Sequence, residues 1–164
     1  MNKSNLSFGK YEERDFDQYY AVVQQDEVMQ YISGKGLTIE EARAKFRSIL
    51  GQSAAEEPLG YFKIYNDAEV FIGDCKLVHY KHDPDLLEIG YILKPEYWGK
   101  GLGTIICKSM LALADEVAPL KDIIGLIDPE NIASKKLLEK FGFTTIFSGI
   151  EDELPTEKLL LKKA

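Results

Sequence analysis

Apolar positions recur along this chain with two different periods, and the switches between them mark out its elements. Asp15 to Val23 reads as a short first helix. TIEEARAKFRSIL, 38–50, reads as a second: Ile39, Ala42, Phe46, Ile49 and Leu50 form one stripe, and Thr38 precedes Glu41 at the capping-box spacing. Gly51 is expected to end it. Three strand-like runs follow, 59–65, 69–80 and 86–93; their links, ND and KHDPD, are turn chemistry and predict an antiparallel meander. Residues 102–117 return to the helical period, with Ile106, Met110, Leu113 and Val117 on one face. IIGLI, 123–127, is continuously apolar, as a strand buried on both faces requires. PENIASKKLLEKFGF predicts a helix stopped by Gly142 at C′, and two short strands near 143–150 and 157–162 finish the chain. The order ααβββαβαββ describes a mixed sheet covered by helices, not a repeated βαβ array.

Bulk properties narrow the picture. With 164 residues, 45% of them hydrophobic, one compact domain over 1–164 is expected, large enough to need no staples. Cys75 and Cys107 lie inside apolar runs, which predicts free thiols in a reducing compartment. No segment resembles a signal peptide and no run approaches 18 apolar residues, so a soluble cytoplasmic protein without membrane association is expected. The formal charge of −7, spread over EERDFD, AAEEP and EDELPTE, disfavours nucleic acid and tolerates amines.

The chemistry gathers between the strand 86–93 and the helix 102–117, where Gly99, Gly101 and Gly103 alternate. The P-loop pattern fails, because neither its four-residue gap nor the Ser/Thr after Lys100 is present. The dinucleotide pattern GxGxxG fails too, since counting from Gly99 or Gly101 reaches Thr104 or Ile106. Two explanations remain: a tight turn needing positive φ, or a short loop whose amides and helix N-terminus face an anion.

WGKGLG matches the acyl-coenzyme-A loop [Q/R]-x-x-G-x-[G/A] at Gly101 and Gly103, with Trp98 in the place of Gln or Arg. Together with NIASKKLLEKFGF, EIGYILKPEYWGKGLG resembles the GCN5-related N-acetyltransferases, in particular the branch of ribosomal-protein N-terminal-amine acetyltransferases. The resemblance is specific over 86–143, weaker over 11–50 and vague after 144. It implies an α+β (three-layer α/β) domain with a mixed, largely antiparallel sheet of six to seven strands and about four helices, in the order β-α-α-β-β-β-α-β-α-β-β. It also implies that strand 86–93 parts from strand 123–127 to admit the pantetheine arm of acetyl-coenzyme A. Backbone groups near Ile92 and Leu93 would pair with that arm, and the loop Trp98, Gly99, Lys100, Gly101, Leu102, Gly103 and Thr104 would hold the diphosphate.

Acetyl transfer to an amine needs a base for the ammonium and benefits from an acid for the thiolate. Alternation places Glu88, Gly90 and Ile92 on one face of their strand, and the resemblance favours Glu88 as base. A carboxylate held there in apolar surroundings would titrate above its usual range. The family's usual tyrosine falls at Leu138, so Ser134 is the substitute acid, and Asn131 is either a coenzyme contact or an N-cap. Cys75 and His79 lie ~13 Å apart along a strand, so they form no dyad. HYKHDPD lacks ligand spacing and no metal is expected. Tyr19, Tyr20, Tyr31, Tyr61, Phe62 and Tyr65 are candidates to line the acceptor pocket, and Trp98 is expected to pack beneath the loop. The expected partners are an acyl donor and an amine, peptide N-terminus or small molecule, on a monomer or homodimer. The missing tyrosine leaves a non-catalytic acyl-coenzyme-A sensor as the alternative.

Overall fold

The computed structural model describes residues 5–163. Seven strands form one sheet: β1 (Ser7–Lys10), β2 (Gly60–Tyr65), β3 (Phe71–Tyr80), β4 (Asp83–Leu93), β5 (Ile123–Ile127), β6 (Thr144–Glu151) and β7 (Leu154–Leu161). Their spatial order is β1-β2-β3-β4-β5-β7-β6, and β4–β5 is the parallel pair. The expected meander is present as β2–β3–β4. The helices are α1 (Phe16–Val23), α2 (Asp26–Met29), α3 (Ile39–Ala55), α4 (Leu102–Val117) and α5 (Ile132–Lys140). The one-turn α2 is the helix beyond the four expected. Among the described residues, no helix is long and apolar enough to cross a membrane.

The sheet separates two apolar clusters. On one face α4 and α5 bury Ile106, Cys107, Met110 and Leu138 against Leu77, Leu87, Ile89 and Leu159. On the other, α1, α2 and α3 bury Tyr19, Val22, Val28, Phe46 and Ile49 against Tyr61 and Val78. The capping box of α3 forms in both directions: Thr38 Oγ1 accepts from Glu41 N–H, and Glu41 accepts from Thr38 N–H.

Two expectations about helices need correction. Gly51 does not end α3, which runs on to Ala55. The ~1 kcal/mol a helical glycine costs is outweighed by what the next turn does: Ser53 is buried and its Oγ accepts from Tyr61 N–H, tying the helix to β2. On α4 the buried face consists of Leu102, Ile106, Cys107, Met110 and Ala114, while Val117 ends exposed in the last turn.

The feature that positions the site is a limited register. β4 pairs with β5 at Leu87–Ile123, Glu88–Ile124 and Ile89–Gly125, and the pairing stops there. Beyond that point β4 stays with β3 as far as Leu93–Gly73, while β5 stays with β7 as far as Ile127–Glu157. The two strands therefore part.

Candidate active site

A cavity of about 910 Å³ runs through this opening from one face of the sheet to the other. Its rim on the α4 side is the glycine loop. Gly99 and Gly101 take φ of 70° and 78°, and open space lies where their Cβ atoms would stand. The first explanation of the spacing holds, since the backbone is left-handed here, and it is compatible with the second, since the bare peptides it exposes border the cavity. Gly101 is the N-cap of α4, so the first amides of a 16-residue helix point at the same place. These residues fit a diphosphate. Gly103 is small for another reason: its Cβ would lie 2.6 Å from Tyr91 Oη and 3.0 Å from Leu137 Cδ2.

The other loop residues divide. Leu102 and Thr104 line the cavity. Lys100 lines a smaller depression on the far side, with Leu6, Asn66 and Asp67. A basic group absent from the sequence expectation, Lys140 at the end of α5, donates to Thr104 Oγ1 at 3.3 Å. Trp98 is not packed beneath the loop. It stands 42% exposed and its Nε1–H donates to Leu93 C=O at 2.9 Å. An indole needs a partner for its N–H, and the last carbonyl of β4 supplies one.

Strand parity decides which peptide groups face the opening. Lys94 N–H bonds Ile72 C=O on β3, whereas Leu87 N–H bonds Asp122 C=O just before β5. Even-numbered residues of β4 thus turn their peptide groups to β3 and odd-numbered ones to β5. Tyr91 and Leu93 face the opening with their backbone, and Leu93 C=O is already held by Trp98. Ile92 faces β3 with its backbone and contributes its side chain to the cavity wall instead.

On the α5 side, Asn131 is the N-cap: its Oδ1 accepts from Ser134 N–H at 3.2 Å. Asn131 and Ser134 also line the cavity. Leu138 is buried, and a Cβ on Gly125 would lie 2.7 Å from its Cδ1, so apolar packing fills the place of the phenol that the resemblance would put there. A different phenol is near. Burial pushes the Tyr91 hydroxyl above its ordinary range, and a hydrogen bond with Ser134 pulls it part of the way back.

On the opposite face the wall carries charge. Glu88 does not sit in apolar surroundings: Lys76 Nζ pairs with its Oε2 at 2.8 Å. Lys76 lies across Gly90, whose absent Cβ would stand 3.2 Å from its Cε. Burial works against the Lys76 ammonium, but Glu88, Tyr61 and Asp74 outweigh it and raise its pKa. Asp74 is buried, lines the cavity, and accepts from Tyr11 Oη at 2.6 Å. Burial pushes its carboxyl up to about 6, against the opposing pull of Tyr11, Lys76 and Lys45. Of the aromatic candidates, Tyr19, Tyr31 and Tyr61 line the cavity; Tyr20, Phe62 and Tyr65 do not. The signal for Asp74 in the sequence was its place as a lone acid amid FIGDCKLV, in phase with Lys76.

The remaining candidates are accounted for elsewhere. Cys75 and Cys107 are free and buried, and burial raises both thiols. His79 pairs with Glu56 at 2.8 Å, whereas His82 lies 3.8 Å from Asp152, so the two histidines serve different partners.

Known proteins share this fold. The uncharacterized N-acetyltransferase YnaD of Bacillus subtilis is 29% identical over 143 residues, covering 87% of this chain and 81% of that one. A GNAT-family acetyltransferase from Bacillus anthracis superposes with a TM-score of 0.75 at 21% identity, over 96% of this chain and 94% of the other. The spermidine N-acetyltransferase of Vibrio cholerae, solved with CoA and spermine, superposes with a TM-score of 0.78 at 16% identity, over 96% and 95%. Residues 5–144 match the family described as the acetyltransferase (GNAT) domain. With that match spanning most of its length, the chain belongs to the GNAT acetyltransferase family.

Proposed function

We propose that this acetyl-coenzyme-A-dependent acetyltransferase passes the acetyl group directly to a primary amine, either a peptide N-terminus or a small-molecule amine. The observation that carries the reading is the parting of β4 and β5 beside the glycine loop, with the cavity continuing to both faces of the sheet. The loop amides from Gly99 to Thr104 hold the diphosphate. The free N–H groups of Tyr91 and Leu93 align the pantetheine arm and polarise the thioester carbonyl. Ser134, placed by the Asn131 cap and near the Tyr91 phenol, hydrogen-bonds the sulfur as it leaves. The acceptor enters from the α1–α3 face, where Glu88 and Asp74 supply the acidic wall that meets an ammonium. Spermine, bound together with CoA in the Vibrio cholerae complex, is an amine of the class proposed here.

The test is thiol release from acetyl-coenzyme A over a panel of an alanine-first peptide, spermidine and kanamycin. Release is expected only when a suitable amine is present. Coenzyme binding by calorimetry with no turnover on any amine would instead establish the sensor. Ser134→Ala is expected to lower kcat by ~100-fold or more, the lower end for a positioned proton donor, with coenzyme Kd unchanged.

A further inference from the structure

The acceptor-side wall holds two carboxylates, and their places along the sheet differ in a way that separates their roles. Glu88 stands opposite Ile124, where β4 and β5 are still paired and the sheet is closed. Asp74 stands opposite Ile92, beyond the last paired residues Ile89 and Gly125, where the strands have parted. Ile92 is flanked by Tyr91 and Leu93, whose peptide groups face the opening. Glu88 lies four residues back, ~13 Å along the strand. Each carboxylate has one oxygen engaged, but the partners differ: Glu88 Oε2 is in an ion pair with Lys76, whereas Asp74 Oδ2 accepts from the neutral Tyr11 hydroxyl, and among the described residues no group donates to Oδ1.

We infer that Asp74, rather than Glu88, takes the proton from the acceptor's ammonium group, and that the Lys76–Glu88 pair is a positioning element beside it. The inference rests on the acetyltransferase reading above. One oxygen of the Asp74 carboxylate accepts a proton from R–NH3+, directly or through a water, leaving R–NH2 and a neutral carboxyl. The nitrogen lone pair forms the C–N bond, the C–S bond breaks, and its electron pair leaves with sulfur. The nitrogen's surplus proton goes to the thiolate by way of Ser134, giving the amide and the free thiol. Asp74 then releases its proton to solvent.

The surroundings suit this task. Asp74 is faced by Tyr11 after β1, Tyr19 of α1, Lys45 of α3, Tyr61 of β2, Lys76 of β3 and Glu88 of β4, while the neighbouring Cys75 thiol turns to the other face of the sheet. The Tyr61 ring has Lys45 Nζ 5.9 Å and Lys76 Nζ 5.7 Å from its centroid, so it carries both cations towards Asp74. Burial raises Asp74 from 3.8 to about 6, which leaves it ionised at neutral pH yet basic enough to accept a proton. The linkage has a definite sign. A folded pKa above the unfolded one means the folded form holds a proton the unfolded chain has released, so stability falls as pH rises from about 4 to about 6. Charge at Asp74 therefore destabilises the fold at neutral pH.

The experiment measures kcat against pH at saturating amine, on the full chain, with whichever of spermidine, kanamycin and the alanine-first peptide turns over. Asp74→Asn is expected to lower kcat by ~100-fold or more and to flatten the acid limb. The same variant should melt no lower than the wild type at pH 8, because an amide still accepts from Tyr11 and carries no buried charge. Tyr11→Phe removes the donor that favours the carboxylate, and is expected to move the acid limb to higher pH. Glu88→Gln should leave that limb in place. A limb that survives in Asp74→Asn, stays put in Tyr11→Phe or vanishes in Glu88→Gln overturns the assignment. No thiol release by the wild type on any of the three amines is a different failure, which removes the acetyltransferase reading and this inference with it.

Discussion

The two walls of the cavity are built from different materials. On the α4 side the cavity is bordered by backbone, from Gly99, Gly101, Leu102, Gly103 and Thr104, and by a helix end. On the α1–α3 side the working groups are side chains, brought together from Tyr11, Lys45, Tyr61, Asp74, Lys76 and Glu88. In the proposed reading the first wall recognises what every acyl-coenzyme-A donor shares, and backbone suffices for it. The second meets the part that varies, the acceptor, and varies by exchange of side chains on a fixed sheet. A donor site of this kind tolerates little substitution because the side chains it lacks are its design, whereas an acceptor site can be altered one residue at a time.

The largest difference is expected from adding a single methyl to the backbone wall. Gly103→Ala places a Cβ 2.6 Å from Tyr91 Oη, inside a packed contact. Overpacking of this sort costs about 1–3 kcal/mol. Coenzyme binding measured by calorimetry should weaken by ~10-fold, the equivalent of ~1.4 kcal/mol. Pairing it with Tyr91→Phe removes the oxygen in the way and should recover part of the affinity; no recovery would mean Gly103 is small for another reason. Gly101→Ala meets nothing within 4 Å and carries only the left-handed strain at φ 78°, about 1–2 kcal/mol.

A smaller effect, of another kind, is expected on the side-chain wall. Lys76→Met strips Glu88 and Asp74 of their nearest cation. Breaking a fully buried pair costs ~3–5 kcal/mol, but this one is partly open to solvent, so a loss of ~1–2 kcal/mol in chemical denaturation is expected. Because Lys76 favours the ionised form of Asp74, its removal should also move the acid limb of kcat to higher pH. Coenzyme affinity should not change. If it falls as much as in Gly103→Ala, the two walls are not separable.

The same contrast explains what was legible in the sequence. The glycine loop, the capping box of α3 and the β2–β3–β4 meander are local patterns, and each is where the spacing placed it. The acceptor wall is not local: Tyr11 and Asp74 are 63 residues apart in the chain and meet only after β1, β2 and β3 have paired. Gly103 looked like one more loop glycine, yet its reason is the phenol of Tyr91 on a neighbouring strand. Gly51 misled for a related reason, since the tie that carries α3 past it comes from β2. The missing tyrosine at Leu138 was visible, but that Tyr91 brings another phenol to Ser134 depended on the packing of β4 under α5.

Trp98 stands where the two walls join, and the smallest predicted effect tests that junction. Its Nε1–H closes off Leu93 C=O, the last acceptor of β4 before the glycine loop begins. Trp98→Phe keeps an aromatic ring there but frees that carbonyl to turn. Trp98 is 42% exposed to solvent, so water can replace the lost donor, and the loss of stability should be no more than ~0.5–1 kcal/mol. The informative quantity is the ratio of effects. On the proposed reading Leu93 is shared by the strand that aligns the thioester and the loop that holds the diphosphate, so coenzyme Kd and kcat should both shift by a few-fold in the same variant. A change in Kd alone would place Trp98 wholly with the loop, and a change in kcat alone would place it wholly with the strand.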